Sequence, residues 1–159
     1  MFHLKGTNIY IGKRADARLR NDPAWAVVNT AKTVHCEVLG WGSQPPRNHP
    51  SYLAHEEDQF LSFNWVDGPP GLYEWSGPEA FCRALDFIDR WYDTKRVLIC
   101  CDQGQSRSPT VALLYLAKRL HSLPDKTFAD AHQAFVPIYP IYSPSGIASF
   151  VSEHWDEIS

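Results

Sequence analysis

The segment Arg96–Cys100 is a short run, apolar from Val97 onward, of the length expected for a strand rather than a helix. A continuous apolar run of that kind marks a central strand covered on both faces, and so an α/β protein whose sheet carries helices above and below. The next dozen residues narrow the choice further. Cys101-Asp102-Gln103-Gly104-Gln105-Ser106 is a polar turn, and Arg107-Ser108-Pro109 leads into a helical pattern through Val111, Leu114, Ala117 and Leu120. Strand, glycine-bearing turn and helix come in direct succession, which places the turn at a helix N-terminus, where an anion is stabilised by free amides and the macrodipole.

Other elements are legible around this unit. Residues 8–11, 25–30, 33–39 and 60–65 are short, β-branched or aromatic, and bounded by turn residues, so each reads as a strand. Ser76-Gly77-Pro78-Glu79 has capping-box spacing, with Phe81, Ala84, Leu85, Ile88 and Trp91 repeating on one face, so a helix is expected to about residue 92. Two more helices are expected over residues 127–135 and 144–158, the latter burying Ile147, Phe150, Val151 and Trp155. The proline-rich stretch 43–51 reads as a surface loop. The whole, residues 1–159, is expected to be one α/β domain with a central mixed, mostly parallel sheet flanked by helices.

Composition limits the function classes. A net charge of −3 gives no broad attraction to nucleic acid or anionic lipid, and no stretch approaches the roughly 18 apolar residues of a membrane span. The N-terminus, Met1-Phe2-His3-Leu4-Lys5-Gly6, lacks the apolar run of a secretory signal, so a cytoplasmic location is expected, one that suits a reactive thiol. The cysteines, at 36, 82, 100 and 101, form no paired CxxC knuckle, and no metal site is expected. Cys36 and Cys82 read as core residues.

Cys101 differs from the other cysteines, having an arginine six positions on and a glycine between them. Inward amides, a guanidinium and a helix N-terminus together favour a thiolate, which is the nucleophilic form of cysteine. Arg107 can hold two oxygens of a phosphate bidentately, a geometry that lysine does not match. Ser108 can donate to the sulfur when it departs.

The Cys101-x5-Arg107-Ser108 pattern resembles the signature of the protein tyrosine phosphatase superfamily, and the surrounding order of elements resembles its compact dual-specificity branch. The likeness is clearest over residues 64–120 and extends more loosely to most of the chain. It implies the phosphatase-like α/β fold and hydrolysis of phosphomonoesters through a cysteinyl-phosphate intermediate, with no metal or cofactor. The substrate implied is a phosphorylated protein, tyrosine- or dual-specific, or another phosphomonoester. Cys101, Arg107, Asp67 and Ser108 are then the catalytic residues, and Asp102, Gln103, Gly104, Gln105, Ser106 and Arg107 form the phosphate-binding loop.

Asp67 is the acid candidate because Asn64-Trp65-Val66-Asp67-Gly68-Pro69-Pro70 places a carboxyl on a loop after a strand, 34 positions before Cys101. Asp58 is the second candidate. Ser145 falls where such domains often place a polar residue near the pocket, and a helix cap explains it equally well. Trp65 reads as aromatic packing ahead of pocket lining. One position departs from the resemblance: the residue before the nucleophile is ordinarily histidine, and here it is Cys100. Strand alternation turns Cys100 away from the Cys101 side, into the core, with a redox role as the lesser reading. The departure keeps open an alternative, a phosphoprotein-binding module of weak turnover, with a sulfurtransferase-type thiol enzyme as a third. The loop carries no lysine of the sort that serves polyphosphorylated lipids, and a nucleic-acid substrate is not expected.

Overall fold

The computed structural model describes residues 1–159. Its sheet has six strands, Phe2–His3 (β1), Ile9–Gly12 (β2), Trp25–Asn29 (β3), Ala54–Glu57 (β4), Phe60–Phe63 (β5) and Arg96–Cys100 (β6), in the spatial order β1-β2-β6-β3-β5-β4. The four inner strands β2, β6, β3 and β5 run parallel, and the two edge strands pair antiparallel. The apolar run of β6 is thus hydrogen-bonded on both sides, with Val97, Leu98, Ile99 and Cys100 inaccessible to solvent.

The helices are Lys32–Val38 (α1), Gly77–Trp91 (α2), Arg107–Lys118 (α3), Phe128–Phe135 (α4) and Gly146–Glu153 (α5). Alternation along the strands divides the core into two layers. Ile9, Ile11, Ala26, Val28, Leu61, Phe63, Val97 and Ile99 join the larger one with α2, α3, α4 and α5. Trp25, Val27, Phe60, Leu98 and Cys100 join a smaller one with Val34 of α1 and with Ala17 of a 3₁₀ segment, Arg14–Asn21. Cys36 is buried as expected, whereas Cys82 is only half-buried at the margin of the larger layer. No helix is long and apolar enough to cross a membrane.

The stretch 33–39, expected as a strand, belongs to α1. Its β-branched Thr33, Val34 and Val38 carry only a small helix penalty, and burial of Val34, His35 and Cys36 outweighs it. Ser76 precedes α2 as expected but does not cap it: its hydroxyl instead accepts the indole N–H of Trp65 at 3.2 Å. The final helix is shorter than residues 144–158, breaking after Glu153 into a 3₁₀ turn, Trp155–Glu157, while Ile147, Phe150, Val151 and Trp155 are all buried. Edge strands β1 and β4 carried no apolar alternation by which to be seen.

His35 locks α1 to the sheet through a directional relay. Asn29 donates its amide to Ser62 Oγ at 2.9 Å, Ser62 lies 2.7 Å from His35 Nδ1, and His35 Nε2 lies 2.8 Å from the carbonyl of Ser51. A carbonyl accepts only, so Nε2 carries the proton, and in the neutral ring that burial favours Nδ1 then accepts from Ser62. Burial, chiefly, holds the His35 pKa below its ordinary 6.5, and the nearby His55 adds to this against the bond to Ser51. Below pH 6.5 the unfolded chain binds the proton more readily than the folded one, so stability from this residue is full above that pH and lost as pH falls through the folded value. Urea denaturation at pH 7.5 and 5.5 should therefore show a loss on acidification that is smaller in His35→Gln; equal losses would remove His35 as the cause.

Candidate active site

The parallel strands deliver Gly12, Asn29, Phe63 and Cys100 to one edge of the sheet, the usual place for a site in an open α/β fold. Cys101 follows β6 directly, and the turn after it curls back over the sulfur. The amide of Gly104 donates to Cys101 Sγ at 3.3 Å, and Ser108 Oγ lies 3.2 Å from the same sulfur. Gly104 has φ of +71°, and a β-carbon there would stand 3.2 Å from the Gly12 carbonyl, so both backbone sign and space call for glycine.

The carbonyls of the turn are tied outward. Asp102 O accepts from the Arg14 amide at 3.3 Å, Gly104 O from Tyr139 Oη at 2.6 Å, Gln105 O from the Ser143 amide at 2.8 Å, and Ser106 O from Thr110 Oγ1 at 2.7 Å. In a trans peptide the next N–H points opposite to the carbonyl, so the amides of Gln103, Gln105, Ser106 and Arg107 face the other way, toward the space above the sulfur. This orientation, not the side chains, is what could hold an anion here; Gln103 and Gln105 direct theirs to solvent. Burial, then the neighbouring Cys101, pushes the Tyr139 hydroxyl up to about 12, so it stays a donor.

Arg107 opens α3 and is nearly enclosed, 5% exposed. Its Nη1 donates to the Trp65 carbonyl at 2.7 Å and to that of Thr30 at 3.4 Å, and its Nη2 to Asp102 Oδ2 at 2.9 Å. Nε is buried with no partner in the protein. Of the five guanidinium N–H groups, three are engaged, which leaves the Nε proton and one on Nη2, two donors available to a bidentate oxyanion. Asp102 contributes more than a backbone amide, therefore. Burial pushes its carboxyl up, but the Thr33 hydroxyl bond and the Arg107 guanidinium outweigh that and hold it below the ordinary carboxylate range.

Asp67 lies on the exposed loop after β5 and is held from across the fold. Ser145 Oγ donates to Asp67 Oδ1 at 2.5 Å, while the Ser145 amide donates to Ser106 Oγ at 3.1 Å, so one residue joins the carboxyl to the turn that follows Cys101. Ser145 precedes α5 without capping it by side chain. At Gly146 a β-carbon would stand 2.2 Å from the Gly68 carbonyl oxygen and 2.4 Å from the Pro70 nitrogen, so the close approach of α5 to this loop depends on glycine. Trp65 is core, stacked on Phe63 and Phe81 with ring centroids 4.6 and 4.7 Å away. Asp58 sits in the β4–β5 turn, at the opposite end of β5 from the loop that carries Asp67, and so away from the edge that bears Cys101.

Cys100 packs with Trp25, Val27 and Leu98 in the smaller layer, its sulfur 3.9 Å from Asn29 Oδ1. Burial, chiefly, drives its thiol well above the ordinary cysteine range, with the neighbouring Cys101 adding to the effect. Structural thiols buried in this way are ordinarily unreactive. Tyr139, Thr33, Gly12 and Gly146 also shape the site, and no local pattern marked them.

No protein-family model matches the chain, and no curated protein matches it by sequence. Solved structures do match in fold. The Yvh1 phosphatase domain from Chaetomium thermophilum is 18% identical with a TM-score of 0.62, the match covering 98% of this chain and 95% of that one. DUSP15 is 19% identical with a TM-score of 0.60, covering 94% and 83%, and human DUSP28 is 19% identical with a TM-score of 0.56, covering 95% and 92%.

Proposed function

We propose that residues 1–159, which have the fold of the dual-specificity phosphatases, form one cysteine-dependent phosphatase domain acting on phosphorylated proteins. The observation that carries this reading is the Gly104 amide donating to Cys101 Sγ in a turn whose carbonyls are tied outward, together with two unengaged N–H groups on the buried Arg107. A phosphate dianion fits that donor set, and an uncharged substrate does not use it.

In the first step Cys101 Sγ attacks phosphorus, the S–P bond forms, and the P–O ester bond breaks as Asp67 gives its proton to the leaving oxygen. In the second, water attacks phosphorus, Asp67 takes a proton from it, and the S–P bond breaks to return the thiolate, which Ser108 Oγ steadies from 3.2 Å. Asp102 acts as a positioning residue: by holding Nη2 of Arg107 it sets the guanidinium plane that the equatorial oxygens meet. The buried, core-facing Cys100 favours the enzyme over a binding module, since it adds no charge to the pocket and the loop reaches its curled form without a histidine there. A thiol nucleophile of this kind works in a reducing compartment, and we place the protein in the cytoplasm.

The test is hydrolysis of a series of aryl phosphates across pH, with a chelator present, by wild type and Asp67→Asn. Asparagine can still accept from Ser145 but cannot supply a proton. Wild type should turn over in the chelator, and the variant should fall by about 100-fold for poor leaving groups, little for good ones, and lose the basic limb of its pH profile. An unchanged leaving-group dependence would take the acid role from Asp67, and no turnover by wild type at any pH would take the enzyme reading with it.

A further inference from the structure

A groove runs from the Asp67 loop to the segment that includes Arg47, lined by Lys32, Arg47, Tyr52, Val66, Leu72 and Trp75. It begins at the proposed catalytic pocket: the Trp65 carbonyl that accepts from Arg107 also accepts the Lys32 amide at 2.9 Å, and Val66 is the residue before Asp67. Its apolar side chains are conspicuously unburied. Trp75 is 64% exposed, Leu72 47% and Val66 44%, a degree of exposure that a contiguous patch usually owes to a partner.

Charge sets the class of partner. Neither Lys32 nor Arg47 is paired with a carboxylate or hydrogen-bonded through its side chain, and no acidic residue lines the groove. These are two uncompensated cations on a chain whose net charge is −3. Arg47 lies over the Trp75 ring, 5.8 Å from its centroid, which presents an aromatic edge and a positive charge side by side.

We infer that this groove takes the segment of the substrate protein flanking the phosphorylated residue, and that it selects acidic side chains next to an apolar or aromatic one. The inference rests on the phosphatase reading for its orientation, since the same surface that positions the phosphoryl group would lay the flanking chain toward Lys32 and Arg47. A membrane is the poorer occupant: two cations fall short of the cluster of about four to eight that holds a polybasic surface to anionic lipid.

The test compares a phosphotyrosine peptide flanked by aspartate and glutamate with its asparagine and glutamine counterpart. Each is assayed for kcat/KM with wild type and with Lys32→Glu/Arg47→Glu, and for Kd by fluorescence anisotropy on a Cys101→Ser background. Wild type should favour the acidic peptide by about tenfold, the value of one charge-assisted hydrogen bond, and the charge-reversed protein should lose or invert that ratio. No preference in wild type, or the same preference in both proteins, overturns the groove assignment. So does Trp75-dependent binding to phosphatidylserine vesicles by a protein that does not discriminate the peptides. If no substrate is hydrolysed but the anisotropy ratio holds and reverses, the phosphatase reading fails and the groove stands.

Discussion

Cys101→Ser should lower aryl-phosphate hydrolysis by about 10,000-fold or more, because a hydroxyl in that position lacks the thiolate's nucleophilicity. The substitution is nearly isosteric, and serine can keep both contacts to the turn, the Gly104 amide and the Ser108 hydroxyl. Vanadate or a phosphopeptide should therefore still bind, and thermal unfolding should shift little. Cys100→Ser is the informative control. That sulfur is fully buried in the smaller core layer and donates to Asn29 Oδ1, so turnover should survive with some loss of stability. Equal loss of activity in the two variants would mean that the pair acts together, contrary to the placement of Cys100 in the smaller core layer and of the Cys101 sulfur in the turn beside Ser108 and the Gly104 amide.

Arg107→Lys carries the second large effect, a fall of about 1,000-fold in kcat/KM with a parallel weakening of vanadate inhibition. The reason is donor arithmetic. Two carbonyls, Trp65 and Thr30, and one carboxylate, Asp102, already draw on this side chain, and the guanidinium still has two N–H groups to spare. An ammonium has three donors in all and no planar fork, so it cannot serve the framework and the phosphoryl oxygens together. Lysine is preferred to alanine as the probe because it keeps a positive charge beside the half-buried Asp102 and so avoids stranding that carboxylate. A fall of less than about tenfold would show that the loop amides alone bind the oxyanion.

The groove and the turn differ in how visible they were. Cys101, Gly104, Arg107 and Ser108 lie within eight consecutive positions, and each neighbour constrains the next: strand, turn, helix start. The loop that carries Asp67 was legible for a similar reason, with Trp65 in the core and Gly68-Pro69-Pro70 enforcing a turn. By contrast, Asp102 reads as one more polar residue until its carboxylate is found between Thr33 and Arg107. Lys32, Arg47 and Trp75 converge from three separate segments with no shared pattern.

The helix α1 makes the same point for the fold. Residues 33–39 have the residue types of a strand, and alternation gave no ground to prefer a helix; a connection between the parallel strands β3 and β5, with His35 reaching Ser62 and Ser51, is what selects it. Local order in this chain determined β6, the glycine-bearing turn after it and α3, since each depends on residues whose period and φ preference are set by near neighbours. Only the tertiary structure decided the curl of the turn, through Tyr139, Ser143 and Arg14, and the placement of Asp67, through Ser145 and Gly146. Those contacts join residues far apart in the chain, Asp67 and Ser145 by 78 positions. The free energy that holds them comes from burying two core layers at once, which no local window contains.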